Sequence, residues 1–197
     1  MVLMVSRPLG VVEPLPLVVV RAGQTLVRQD EPCDDLWVVD SGVFAVSVLD
    51  ADGRGMLLDV LGPGDGLGLP DAHPSPWTAT ALRPARLHPA TGAEGTTALA
   101  ATTARLTSIV TDLAWFDITD RIERRLLDLA RRLGRPAPGG TLIPVRLTQD
   151  ELASMVGATR ESANRAVRAL IARGSIDVRG RGRYVVHSQL RLVDDVR

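Results

Sequence analysis

Lysine is absent from the sequence, so all 23 basic residues are arginine, and they balance 23 acidic residues to a formal net charge of zero. A single cysteine, Cys33, excludes an intrachain disulfide framework, a four-cysteine iron–sulfur cluster and a zinc ribbon. Aromatics are scarce at 3% against 45% hydrophobic residues, so the core must be aliphatic. Long apolar runs are missing too. Pro8, Pro14 and Pro16 interrupt the apolar N-terminus MVLMVSRPLGVVEPLPLVVV before it reaches a membrane-spanning length. No signal-peptide layout is visible, so a cytoplasmic protein with no membrane partner is expected. Catalytic signatures are equally absent. No nucleophile–base pair or metal-ligand cluster stands out, and GPGDGLG lacks the lysine and strand–helix setting of a nucleotide-hydrolase loop. The chain does not read as an enzyme.

Neutrality conceals an asymmetry. Residues 1–120 carry 7 arginines against 15 acids, a net of −8, whereas residues 121–197 carry 16 against 8, a net of +8. With 197 residues there is room for two modules, the basic one facing a polyanion.

From about Leu17 to Leu87 the apolar runs LVVVRAG, LWVVDSGVFAVSVLD, GMLLDVLG and WTATALRPARL are separated by turn-rich segments, which predicts an all-β sandwich or barrel. ADGRG is a hairpin signal, because Asp52-Gly53 tolerates positive φ. Residues 96–134 contain no proline and turn helical. Leu99, Leu106 and Leu113 recur at a spacing of seven, with Thr102, Ile109 and Phe116 three after each. Such an a/d stripe suits either a two-helix dimer seam or a helix buried against its own domain. Asp117 starts a second helix that Gly134 and Pro136 end, and RPAPGG reads as a loop into the last module.

In that module Thr148 and Glu151 form a capping box, starting a short helix that stops at Gly157. Thr159 caps a second helix, RESANRAVRALIARG, closed by Gly174; two helices across a tight glycine turn are a helix-turn-helix signature. At about 100° per residue, Arg160, Glu161, Asn164, Arg165 and Arg168 share one side of this helix, and Ala163, Ala166, Val167 and Leu170 the other. SIDVRGRGRYVVHS reads as a β-hairpin wing whose tip carries Arg179, Arg181 and Arg183, suited to phosphate contacts.

The run LTQDELASMVGATRESANRAVRALIARGSIDVRGRGRYVV resembles the winged helix-turn-helix of the Crp/Fnr family of bacterial transcription regulators. VTDLAWFDITDRIERRLLDLARRLG is similar to that family's dimerisation-helix end, hinge aspartate and following helix. RAGQTLVRQDEPCDDLWVVDSGVFAVSVLDADGRGMLLDVLGPGD resembles its cyclic-nucleotide-binding β-roll. The likeness covers roughly residues 17–190. It implies an α+β fold: a jelly-roll-like β-roll at 1–95, a dimerisation helix and hinge at 96–117, and a winged helix-turn-helix at 118–197. It also implies a homodimer on palindromic double-stranded DNA, with RNA polymerase as a partner if the regulator activates. The dimer contacts would come from Leu99, Leu106, Ile109, Leu113 and Phe116.

The family's Arg-Glu-x-x-x-Arg recognition pattern lands on Arg160, Glu161 and Arg165, implying a TGTGA-like half-site rather than the TTGAT read by a Glu-x-x-Ser-Arg pattern. The chemistry agrees independently: arginine pairs bidentately with guanine O6 and N7, and glutamate accepts from cytosine N4. A carboxylate would be repelled by phosphates, so its presence argues for base reading. Thr148, Gln149, Thr159 and Ser162 match the family's phosphate-contacting positions, and Arg168 joins the wing arginines by position.

The sensor half departs from the family. In GDGLGLPDAHPSPWTATAL, Leu69 stands where the ribose-holding glutamate would be and Trp77 where the phosphate-binding arginine would be. A buried cyclic phosphate would lack its charge partner. Thr78 follows Trp77 in this degenerate effector site, and Leu106 and Thr107 occupy the family's base-contacting positions. Regulation by cyclic AMP is therefore not expected, nor is any cofactor. His73, His88, His187 and Cys33 could serve as haem ligands, but isolated histidines are usually surface or structural residues, so haem is not expected. Carboxylates crowd Cys33 in QDEPCDD and disfavour a redox role. The rival reading is a ligand sensor acting through protein–protein contacts, which would bind DNA weakly and without salt dependence.

Overall fold

The computed structural model describes residues 17–69, 74–180 and 182–187. The first half is an antiparallel β-roll of six strands: β1 (Val18–Val20), β2 (Thr25–Val27), β3 (Trp37–Leu49), β4 (Gly55–Leu61), β5 (Gly66–Leu67) and β6 (Thr78–Pro89). They run in the order β1-β6-β3-β4, with β2 also on β6 and β5 also on β3. The β3–β4 hairpin closes at ADGRG with Gly53 at φ 77°. The long strand β3 curls because its register against β6 shifts on both sides of Gly42. A Cβ at that glycine would lie 2.5 Å from the Cα of Ala85, so only glycine permits this approach. Inside the roll Val20, Val39, Phe44, Leu61, Leu67 and Leu87 form an almost entirely aliphatic core. Cys33 joins it as a buried small apolar side chain, its thiol donating to the Asp35 carbonyl at 3.6 Å.

Helix α1 (Gly92–Trp115) follows, and it begins four residues before the expected boundary at 96 because GAEG forms its first turn. Phe116 breaks the helix in extended backbone, and Asp117 caps α2 (Ile118–Leu133) by accepting from the amides of Thr119 and Asp120. Arg121 staples this joint: it donates to the carbonyls of Leu113 and Phe116 at the end of α1, both at 2.7 Å, and to Val156 at 3.3 Å. Those carbonyls have no helical partner of their own.

The segment RPAPGG is not a loop. It forms β7 (Arg135–Ala137), a turn, and β8 (Gly140–Leu142), which joins β9 (Ile176–Arg179) and β10 (Arg183–His187) in a four-stranded sheet of order β7-β8-β10-β9. Pro136 is tolerated because β7 is an edge strand, where a missing amide breaks no ladder. Between the two hairpins lie α3 (Gln149–Met155) and α4 (Arg160–Ala172).

The two halves share one core. Val43, Leu57 and Val60 of the roll are buried with Ile122, Leu126 and Leu129 of α2 and with Leu152 and Met155 of α3. Beside this contact lies a buried charge network. Asp59 pairs with Arg132 (2.8 Å), Arg105 (3.0 Å) and Arg125 (3.8 Å), and Asp65 with Arg105 (2.9 Å) and Arg132 (3.0 Å). Arg125 also donates to the Leu58 carbonyl at 2.6 Å, and the Ser154 hydroxyl accepts from the Leu57 amide at 3.1 Å.

Candidate nucleic-acid interface

The capping box forms as the sequence predicts: the Thr148 hydroxyl accepts from the Glu151 amide at 3.1 Å, while the Glu151 carboxylate accepts from the Thr148 amide at 2.7 Å. At Gly157 the chain turns with φ 63°, a conformation that leaves the Leu113 side chain 3.3 Å from where a Cβ would sit. Thr159 then caps α4 by accepting from the Ser162 amide at 3.2 Å. Ala163, Ala166, Val167 and Leu170 are buried against α2 and α3, so α4 can turn only its other face outward.

On that outward face Arg160, Glu161, Arg165 and Arg168 are all exposed. Arg165 is steadied by donating to the Ser162 hydroxyl at 3.0 Å. Arg160 lies 3.6 Å from the Asp150 carboxylate across the turn, a mostly exposed pair that leaves its guanidinium able to exchange partners. Thr148 and Thr159 are exposed at the two helix N-termini, where backbone amides favour an anion.

Other sequence-nominated residues are placed differently. Gln149 is half-buried and donates to the Tyr184 hydroxyl at 3.2 Å, which ties α3 to β10. Arg179 donates to the Pro138 carbonyl at 2.6 Å and so braces the wing against the β7–β8 turn. Arg183 is exposed, and Arg181 lies outside the described residues.

Along α1 the heptad residues divide. Ile109 is only 7% exposed in the single chain, so its own fold already covers it. Phe116 lies under the Arg124 guanidinium, 4.3 Å from the ring centroid, and Leu113 is half-buried at the helix-turn-helix glycine. Leu106 and Val110 are exposed, Val110 at 66%. The bare stripe therefore runs through positions four after each leucine, Thr103 and Val110, rather than three after, Thr102 and Ile109.

Leu69, Trp77, Leu99 and Leu106 do converge. With Val46, Leu58, Leu61 and Leu67 they line a cavity of about 50 Å³ in the roll, in which Asp59 is the one charged lining residue among the described residues. Thr78 faces elsewhere: its hydroxyl accepts from the Gln29 amide at 3.0 Å beside a separate cleft. Thr107 is exposed on α1, bonded to the Thr103 carbonyl, and lines no part of this cavity. Among the described residues no three His, Cys, Asp or Glu side chains converge as a metal site, and no helix is long and apolar enough to cross a membrane.

A β-roll joined through α1 to a winged helix-turn-helix with an arginine-rich outer helix defines a helix-turn-helix transcription regulator. Comparison with known proteins agrees. Residues 120–194 match the Crp-like helix-turn-helix domain and residues 17–88 the cyclic nucleotide-binding domain. The chain is 29% identical over 184 residues to the CRP-like cAMP-activated global transcriptional regulator of Mycobacterium tuberculosis, covering 85% of this chain and 82% of that one. It is 25% identical over 186 residues to the cAMP-activated global transcriptional regulator Vfr of Pseudomonas aeruginosa, covering 81% and 84%. A CRP/FNR family transcriptional regulator from Thermus thermophilus superposes with a TM-score of 0.71 at 22% identity, over 87% of this chain and 93% of that one. The chain belongs to the Crp/Fnr family.

Proposed function

We propose that this regulator acts as a homodimer on a palindromic operator with TGTGA-like half-sites, without requiring cyclic AMP. The observation that carries the reading is the outward face of α4, where the Glu161 carboxylate stands exposed among Arg160, Arg165 and Arg168. A surface serving phosphates alone gains nothing from a carboxylate, whereas cytosine N4 needs an acceptor. Thr148, Thr159, Ser162, Arg168 and Arg183 hold the frame through phosphate contacts, while Gln149 and Arg179 serve first as internal braces.

The exposed stripe of Leu106 and Val110, continued by the half-buried Leu99, supports pairing of α1 with its copy. Such pairing sets two α4 helices about 34 Å apart for successive major grooves. Independence from cyclic AMP is supported by the cavity. Among the described residues it has no cationic lining side chain to neutralise a cyclic phosphate, and at about 50 Å³ it is far below the ~300–1,000 Å³ of ordinary ligand sites. Selecting bound sequences from a random DNA pool, with and without cyclic AMP, tests the whole reading. Equal enrichment of one TGTGA-like palindrome in both arms supports it; enrichment only with cyclic AMP overturns the sensor assignment, and a TTGAT-like or absent motif overturns the α4 assignment.

A further inference from the structure

The cavity under Trp77 is not the only one at the sensor's edge. A polar cavity of about 250 Å³ lies where α1 meets α2, lined by Arg105, Ser108, Asp112, Arg124, Arg125, Asp128 and Arg131. Four guanidiniums face two carboxylates, so the lining is cationic overall, within a protein whose net charge is zero.

The carboxylates do not use up the donors. Arg105 is fully engaged, by Asp59, Asp65 and the Thr102 hydroxyl. Asp128 is held by Arg132 at 2.9 Å, and Asp112 accepts from Arg124 Nε at 2.7 Å. Arg131 is exposed and has no partner among the described residues. Most telling is Arg125. It is only 5% exposed, it lines this cavity, its Nη2 donates to the Leu58 carbonyl, and its Nε, itself closed off from solvent, has no hydrogen-bond partner among the described residues. A buried guanidinium donor left unpaired carries a full desolvation penalty, and such groups in native structures usually have a role.

We infer that this cavity is a binding site for a small phosphate-bearing anion, with Arg124, Arg125 and Arg131 as its donors and Ser108 as a hydroxyl partner. Guanidiniums suit phosphate because they donate in pairs to its oxygens. The volume falls just under that of sites for drug-sized ligands, about 300–1,000 Å³, which fits inorganic phosphate or a small phosphomonoester and excludes a polymer. The site also stays open in a dimer. At about 100° per residue, Arg105, Ser108 and Asp112 lie on the side of α1 opposite the Leu106–Val110 stripe.

Calorimetric titration of the full chain tests this, with inorganic phosphate in one arm and a sugar phosphate in the other, at ionic strength held constant by chloride. The expected result is saturable binding of one anion per chain, weakened about tenfold or more by Arg131→Gln or Arg124→Gln. Arg86→Gln, an exposed change on β6, should leave binding unaltered. Tighter binding in one arm identifies the source of the phosphate group. Arg131 is on the surface, so its variant keeps the fold and the test stands even where Arg125→Met does not fold. Absence of saturable heat in both arms overturns the inference, as does equal weakening by Arg86→Gln or no weakening by either Arg131→Gln or Arg124→Gln.

Discussion

Replacing Asp59 with asparagine removes the centre of the buried network without changing side-chain size. Asp59 is 6% exposed and faces Arg105, Arg125 and Arg132 within 4 Å. Arg105 and Arg132 would retain Asp65, at 2.9 and 3.0 Å. Arg125 would retain the Leu58 carbonyl and the more distant charges of Asp128 and Asp112. Burial is the largest influence on both Arg125 and Arg132 and opposes their charge. In Arg125 it prevails and lowers the pKa, whereas in Arg132 the carboxylates of Asp59, Asp128 and Asp65 outweigh it and raise the pKa. The reason is geometric: Arg125 meets Asp59 at 3.8 Å, Arg132 at 2.8 Å. Arg125 is therefore the charge that the substitution leaves least compensated. Breaking a buried pair from one side costs about 3–5 kcal/mol, and the surviving Asp65 contacts place this case near the lower end, about 3 kcal/mol. At about 2–4 °C per kcal/mol for a chain of this size, the melting temperature should fall by roughly 6–12 °C. The shared core joining both halves makes this a loss for the whole chain rather than for one module. Urea and thermal unfolding of Asp59→Asn, Arg125→Met and the double variant form the cycle. The double variant should be more stable than the two single losses added together, by about 0.5–3 kcal/mol. A cost under about 1 kcal/mol for Asp59→Asn, or simple additivity, would show that the pairs behave as solvated surface bridges and refute the reasoning.

Arg165→Ala should cost about 1–3 kcal/mol of operator affinity and relax specificity at one base pair, read by mobility shift on a panel of single-base operators; an unchanged preference contradicts its base-reading role. Val110→Glu places like charges across the proposed α1 seam, so sedimentation should show monomers and operator binding should collapse, whereas a persisting dimer means the seam lies elsewhere. His88 bridges β6 to Asp40 (2.7 Å) and to Glu94 of α1 (3.1 Å); burial opposes its protonation, but Glu94 and Asp40 outweigh it and hold the pKa above the ordinary 6.5. A raised folded pKa gives stability that is complete below about pH 6.5 and lost as pH rises through the folded value. Urea midpoints of the native chain should therefore fall between mildly acidic and mildly alkaline pH by more than those of His88→Gln.

Local chemistry made most of the architecture legible, and long-range pairing hid the rest. Caps at Asp117, Thr148 and Thr159 depend on residues two or three positions away, and each forms as its spacing implies. Apolar runs bounded by turn residues likewise announce β3, β4 and β6 before any partner is known. RPAPGG misled because two prolines and two glycines signal a loop, while β10, the strand that takes the β7–β8 hairpin into a sheet, lies more than forty residues downstream. The heptad on α1 left two packings open for a related reason. Positions three and four after a leucine flank the same helix stripe, and only packing decides that Ile109 turns inward while Val110 stays bare. Arg125 left one local trace. It sits three after Ile122 and four before Leu129, within the apolar stripe of α2, where a buried guanidinium demands a carboxylate. That carboxylate, Asp59, comes from β4 in the other half of the chain, and no spacing rule connects the two. The residue most out of place on its helix is thus, with Arg132, one of those that tie the β-roll to the DNA-binding half. The unpaired nitrogen it keeps is a property of the assembled joint alone.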